Sequence, residues 1–444
     1  MTHSIIQKSK LEGARRLDAE YYCSPRLLDA IDFYQGKEVS SKIQYGTSKG
    51  LNEEKLGYPT LRLNEFEEYF SGSAEKYCDL LSEAEFEDLK LEEGDVLICR
   101  TNGNPKLVGK AALVVDGKNQ VFASYLFKVK TDKTKINPET LTIFLNSRFG
   151  RSEIEKFLMP SIQSNFSPAQ FREIKVPKFS PAGQEQIREA MQESYFLLET
   201  SKTFYQQAEV LLLEELGLKD FEIENELSNV VNFSDVKNTN RIDAEYFQMK
   251  YEKILEKIEG YKNGSDSVDN KFKQNKILTK KEKDFYNYVE IGDVNVSSGE
   301  INFNKIAKND LPANAKIKLN QDDLLVSKVR PYRGAVGVVS FEGKDLICSG
   351  AFTVLQEKTD YKKEVLVVLL RTIFYKELMM RHNVGTSYPV IKDEDILNLK
   401  VPILPKETQQ KIAGLVKESH EARKKSKELL EQAKQKVEDL IEKK

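Results

Sequence analysis

The sequence predicts an α+β protein in which two pseudo-repeated α+β domains are separated by two long, coiled-coil-like helices. That class rests on a pair of extended helical stripes and on a short motif that occurs twice at one offset. Within residues 180–216, Ile187, Met191, Ser194, Leu198, Ser201, Tyr205, Ala208 and Leu212 recur at spacings of three and four, the pattern of a helix with one packing stripe. Within residues 406–441, Ile412, Val416, Ser419, Ala422, Ser426, Leu430, Ala433 and Val437 repeat the rhythm. Roughly 33 residues at about 1.5 Å each make a rod of about 50 Å. An apolar stripe of that length needs an equally long cover, and the simplest cover for each helix is the other. Pairing within one chain and pairing between two copies both satisfy the stripes. The serines in the seam predict close, imperfect packing rather than a leucine zipper.

Motif and stripe together make the chain a tandem duplication. Arg16, Asp18, Ala19, Glu20 and Tyr21 return as Arg241, Asp243, Ala244, Glu245 and Tyr246, an offset of about 225 that also carries the first stripe onto the second. Residues 45–50 (YGTSKG) read as a polar loop, and 58–63 as a strand whose counterpart in rhythm is 288–293. In residues 91–100 and 319–328 an acidic turn leads into a short buried strand that delivers a basic residue, Arg100 or Lys328. Loops follow at 101–114 and 329–339, with Gly109 and Gly337 taken as equivalent, then strands at 124–129 and 349–354. Helices are expected over 141–158 and 365–380, and strands over 171–177 and 396–402 close the copies. Ser180 is a cap and Pro181 a first-turn residue for the first long helix. The expected division is therefore a first domain at 1–179, a helix at 180–216, an acidic connector at 217–239, a second domain at 240–405 and a helix at 406–444. The frame repeats while the loop residues differ.

Composition excludes several classes. A chain of 444 residues, 40% hydrophobic and 31% charged, suits two or three soluble domains. No apolar run approaches the roughly 20 residues of a membrane span; residues 365–370 are followed at once by Arg371. Cys23, Cys78, Cys99 and Cys348 have no paired spacing and residues 1–10 no secretory character, so a cytoplasmic location is expected. His3, His382 and His420 are too scattered along the chain to suggest a zinc site. The formal net charge of -2 means that any nucleic-acid contact must use local patches. The most basic run, residues 271–283, reads either as a solvated loop or as a DNA-backbone or partner contact.

No phosphate loop, dinucleotide turn, nucleophile elbow or HExxH pair occurs, nor the Asn/Asp-Pro-Pro-Tyr/Phe tetrad of amino-methyltransferases. What the sequence offers instead is two related domains carrying different loops on a stiff spacer, an object able to place two reading surfaces on one duplex. The first candidate set for DNA binding is Arg100, Asn102, Asn104, Lys106 and Lys110 in copy one, with Lys328, Arg330, Tyr332 and Arg333 in copy two. These are basic and amide groups beside glycines, suited to phosphates and base edges. The second set is Ser161, Gln163, Ser164 and Asn165, with Thr386, Ser387 and Tyr388, for which a plain turn role stays open. Arg16, Asp18 and Tyr21, with Arg241, Asp243 and Tyr246, are assigned to positioning or partner docking, because a residue pair two apart on an extended segment faces one way.

RRLDAEYY and NRIDAEYF, the strands ending at Pro177 and Pro402, the following GQEQI and TQQKI, and the duplicated helices resemble the specificity subunit of type I restriction-modification systems over essentially the whole chain. The resemblance implies two target-recognition domains, two antiparallel conserved helices, and recognition of a bipartite DNA sequence with a nonspecific gap. It implies no catalysis or cofactor in this chain. S-adenosylmethionine would belong to two modification (methyltransferase) subunits, and ATP and Mg to restriction (translocase/endonuclease) subunits. The docking surface for the modification subunits would be the helices and the RxDAEY segments. A scaffold or adaptor that assembles through its helices without touching DNA is the alternative.

Overall fold

In a computed structural model, the structure describes residues 31–117, 119–158, 164–223, 226, 228–384 and 388–443, together with Ile5 and Leu28. The chain forms two compact units, Met1–Leu198 with Arg423–Lys444, and Glu199–Ala422. In the first unit the strand Asp95–Cys99 lies at the centre of an antiparallel array, between Leu126–Thr131 and Ala111–Leu113, with Ser40–Tyr45 beyond Leu126–Thr131. All of Asp95–Cys99 is buried. Alternation explains how: Val96 and Ile98 enter one apolar cluster, Leu97 and Cys99 another on the opposite face. The second unit repeats the arrangement with Phe272–Gln274, Phe352–Glu357, Leu324–Ser327 and Val336–Val338. There Leu324 and Val326 face one cluster and Leu325 the other.

The acidic turns before the central strands are built alike. Asp95 Oδ2 accepts the Glu92 N–H and Asp323 Oδ2 the Asn320 N–H, each at 2.9 Å. A residue of positive φ completes each turn, Gly94 at 86° and Asp322 at 70°. The strands Tyr58–Leu61 and Phe285–Val289 are likewise each followed by a 3-10 turn, Leu63–Glu65 and Ile291–Asp293. In both, an acidic side chain reaches back to a backbone N–H, Glu65 to Arg62 and Asp293 to Glu290.

Local structure corrects the sequence reading at three points. The helices expected over 141–158 and 365–380 are each two helices, Pro138–Asn146 with Arg148–Glu155, and Lys363–Arg371 with Ile373–Arg381. Ser147 and Thr372 break them. Each hydroxyl donates to the carbonyl three residues back, Phe144 at 2.6 Å and Leu369 at 2.7 Å, and caps the next helix. The closing strands are shorter than expected, Lys175–Pro177 and Lys400–Pro402, because 171 and 396–397 belong to the short helices Pro168–Phe171 and Asp393–Leu397. Gly337 is not the partner of Gly109. Gly109 and Gly334 both close a 3-10 turn, Pro105–Leu107 or Pro331–Arg333, at φ of 82° and 69°, whereas Gly337 sits inside a strand opposite Leu325.

The long helices are Pro181–Glu215, of 35 residues, and Lys406–Glu442, of 37. Ser180 Oγ accepts the Gly183 N–H at 3.2 Å at the start of the first. In the first unit Ser194 Oγ meets Ser426 Oγ at 2.9 Å, and Leu440 lies over Gly183, so the helices run antiparallel there. In the second unit Ser201 and Ser419 hydroxyls meet at 3.1 Å. The seam serines, expected to give close but imperfect packing, are buried and hydrogen-bonded across it. Each unit folds its share of both helices into its main core: Ile187 and Met191 with Leu430 and Val437 in the first, Ala208 and Leu212 with Ile412 and Val416 in the second. One glutamine of each of the GQEQI and TQQKI segments, Gln184 and Gln409, bonds within its own unit. Gln184 Oε1 accepts the Asn137 N–H at 2.7 Å and its Nε2 donates to Phe179 O; Gln409 does the same with Lys362 N–H at 3.0 Å and Leu404 O. No helix among the described residues is long and apolar enough to cross a membrane.

Candidate nucleic-acid interface

In each unit the end of the central strand meets the loop that precedes the closing strand. Arg100 N–H donates to Tyr125 O at 2.7 Å and Arg100 O accepts from Phe166 at 2.7 Å; Lys328 repeats this with Ala351 O at 2.8 Å and Ile391 N–H at 3.0 Å. Thr101–Asn102 pairs antiparallel with Ser164–Asn165, and Val329 bridges Val390 in the same sense. The two sets of candidate loops, nominated separately along the chain, thus form one surface per unit. A shared backbone lattice holds them.

What that lattice carries differs between the units. In the first, the Arg100 guanidinium lies over the Tyr45 ring at 5.2 Å, its Nε donates to Asn165 Oδ1 at 3.2 Å and its Nη1 to Ser124 O at 3.1 Å. Asn102 and Asn104 build the turn: Asn102 Oδ1 accepts Asn104 N–H at 2.8 Å, and Asn104 Oδ1 accepts Lys106 N–H at 3.0 Å. Lys106 is exposed and Lys110 half-buried. Tyr45 and Tyr125, 47% and 53% exposed, flank Arg100. Neither was singled out from sequence. Tyr45 opens the YGTSKG loop, and its neighbour Gly46 lies so close to the backbone at Phe122 and Ala123 that a Cβ would fall 2.3 Å from Phe122 O.

In the second unit Lys328 is committed to Asp393, at 2.9 Å. Burial opposes ionisation of Asp393, but the Thr353 hydroxyl at 2.6 Å and Lys328 hold its pKa below the ordinary carboxylate value. Arg330 is different. Its backbone is left-handed, φ 51°, with its N–H donated to Pro389 O at 2.7 Å, and its guanidinium stacks on the Tyr388 ring at 4.4 Å. Arg330, Arg333 and Tyr388 rim a recess whose wall includes Ile291, Val294 and Val329. Tyr332 and Arg333 are exposed. Ser161, Gln163, Thr386 and Ser387 lie outside the described residues.

The repeated motif is described in its second copy, Arg16, Asp18 and Tyr21 falling outside the described residues. Arg241 forks onto Asp243, Nε to Oδ1 at 2.8 Å and Nη2 to Oδ2 at 2.6 Å, and stacks on Tyr246 at 4.6 Å. That hydrogen bond with Arg241 holds the Asp243 pKa below its ordinary value. Arg381 covers Tyr246 too, at 4.7 Å, and donates to its carbonyl. The motif is thus a local ion pair locked to its own unit, leaving Ile242, Ala244 and Glu245 exposed.

The two units thus share one scaffold and differ in the side chains that their loop pairs carry. Residues 266–435 match the family model described as Type I restriction modification DNA specificity domain. The chain is 23% identical over 423 residues, 91% of this chain and 91% of the relative, to a putative type I restriction enzyme MjaX specificity subunit of Methanocaldococcus jannaschii. It is 22% identical over 432 residues, 94% and 91% of the two chains, to the type I restriction enzyme MjaVIII specificity subunit of the same organism. Among solved structures, the type-I restriction-modification system S subunit from M. genitalium aligns over 94% of this chain and 97% of that chain at 14% identity, with a TM-score of 0.40. Over residues 266–435 the chain thus matches the type I specificity domain, and over most of its length it is similar to specificity subunits of type I restriction enzymes.

Proposed function

We propose that the chain is the non-catalytic DNA-specificity subunit of a type I restriction-modification complex. Each unit reads one part of a bipartite target, with a nonspecific gap between the parts. The observation that carries this reading is the repeated backbone lattice at Arg100 and Lys328, which holds unlike side chains at equivalent places. A conserved frame with divergent tips is what reading two different base sequences requires. Methylation and cleavage belong to partners: two modification subunits supplying S-adenosylmethionine chemistry and restriction subunits supplying ATP and Mg chemistry. Among the first unit's candidates, Arg100, Asn102 and Asn104 shape the reading surface while Lys106, Lys110 and the loop bearing Gln163, Ser164 and Asn165 approach the duplex. In the second, Lys328 is a strut, and Arg330, Tyr332, Arg333 and the loop bearing Thr386, Ser387 and Tyr388 make the approach. The RxDAEY segments serve docking, with Arg241, Asp243 and Tyr246 setting their shape.

The experiment is co-expression with an adenine methyltransferase (modification) subunit of a type I system. The complex should shift duplex DNA in a gel, and methylome sequencing of the host should return one bipartite motif. A chain that assembles through its helices yet neither shifts DNA nor confers a motif would instead be a scaffold.

A further inference from the structure

Arg100 and Arg330 each belong to a loop pair, and their surroundings divide their labour. Arg100 has its Nε and Nη1 engaged, by Asn165 and by Ser124 O. Two positions of its planar donor set are consumed inside the protein, so it latches one loop to the other. Arg330 holds its guanidinium carbon over the Tyr388 ring, 4.4 Å from the centroid, and, among the described residues, has no carboxylate partner and no side-chain hydrogen bond. Stacking covers the face of a guanidinium and leaves its edge, with the N–H donors, directed outward. The left-handed backbone, the N–H bond to Pro389 O and the following Pro331 fix the point from which the side chain departs. The wall of Ile291, Val294 and Val329 beside it lowers the local dielectric, which strengthens any hydrogen bond made there.

A fixed, unpaired guanidinium edge matches one base best. Guanine presents O6 and N7 side by side in the major groove, the acceptor pair that a guanidinium meets with two parallel hydrogen bonds; adenine offers a donor beside its acceptor. Resting on the DNA-specificity reading above, we propose that Arg330 reads a guanine in the part of the target bound by the second unit.

The test uses the chain assembled with its modification subunits. Motifs come from methylation sequencing, affinities from duplex titration. The wild-type motif should contain a guanine whose replacement weakens binding roughly 10- to 100-fold, the range for losing one bidentate pair. Both R330A and R330K should relax that position and leave the rest of the motif as it was. Placing 7-deazaguanine, which lacks the N7 acceptor, at that position should weaken the wild-type complex and leave R330A unaffected, a pattern that a merely structural arginine would not produce. The assignment fails if both Arg330 variants keep the full motif, if they weaken all sequences equally, or if 7-deazaguanine leaves wild-type binding unchanged. A complex that binds DNA with no preference, or not at all, overturns the specificity reading itself, and the Arg330 assignment with it.

Discussion

Residues of one chemical type do opposite work in this protein according to what surrounds them. Arg100, Lys328 and Arg330 all stand at the mouth of a central strand, yet the first two are tied to Asn165 and Asp393, whereas the third has no side-chain hydrogen bond or carboxylate partner among the described residues. Composition has no access to that distinction, since it depends on residues some 65 positions away in the chain. Asp266 shows the same dependence in a quantity that can be titrated. Hydrogen bonds from Asn270 at 2.6 Å and Ser267 N–H at 2.8 Å, with Lys271 at 2.9 Å, pull its pKa from 3.8 to about 2. A carboxylate depressed in the folded state adds stability that is fully present above its unfolded pKa and is lost as pH falls through the folded one. D266N should therefore unfold more easily at pH 7, by about 1 kcal/mol, and the difference from wild type should fade between pH 3.8 and about 2 in denaturant titrations. A difference that stays constant down to pH 2 would refute this account.

Elements were legible in proportion to how local their causes are. The central strands announce themselves, because a run of buried apolar residues after an acidic turn has few other uses, and both turns prove to be closed by the same carboxylate-to-backbone bond. Helix breaks at Ser147 and Thr372 were missed. A hydroxyl in a helical pattern is neutral until its neighbours show whether it caps a helix or sits inside one. The seam of the long helices was read correctly in position and incompletely in chemistry. Serines there implied close, imperfect packing but not its bonds: Ser194 and Ser426 bond to each other and Ser194 also donates to Ser426 O at 3.0 Å. Thermodynamic coupling is the measurable consequence. S194A and S426A should each cost about 1 kcal/mol, and the double variant should cost less than their sum by roughly 0.5 kcal/mol or more. Strict additivity would mean that the hydroxyls contribute independently.

At the scale of the chain, duplication is the governing fact, and a frame used twice invites a role common to both copies. The RxDAEY motif fits that description, since in the second copy Arg241, Asp243 and Tyr246 bind one another while Ile242, Ala244 and Glu245 are exposed. Docking of a modification subunit there predicts that D243A, which frees Arg241 and unsettles the segment, co-purifies with that subunit at less than full stoichiometry while I242E fails more completely. Full recovery of both variants would remove docking from this segment. Periodicity and repetition alone yielded the α+β class, the duplication, the two long helices and the absence of familiar catalytic motifs, because such features are written in residues close together or at one constant offset. The register of equivalent loops, the joining of residues 101–102 to 164–165 and of 329 to 390, and the choice of Arg330 over Arg100 as the arginine left free came from the folded chain. Those depend on contacts between distant segments, and a hydrogen-bond donor becomes available to a ligand only after the whole fold has settled which donors it uses for itself.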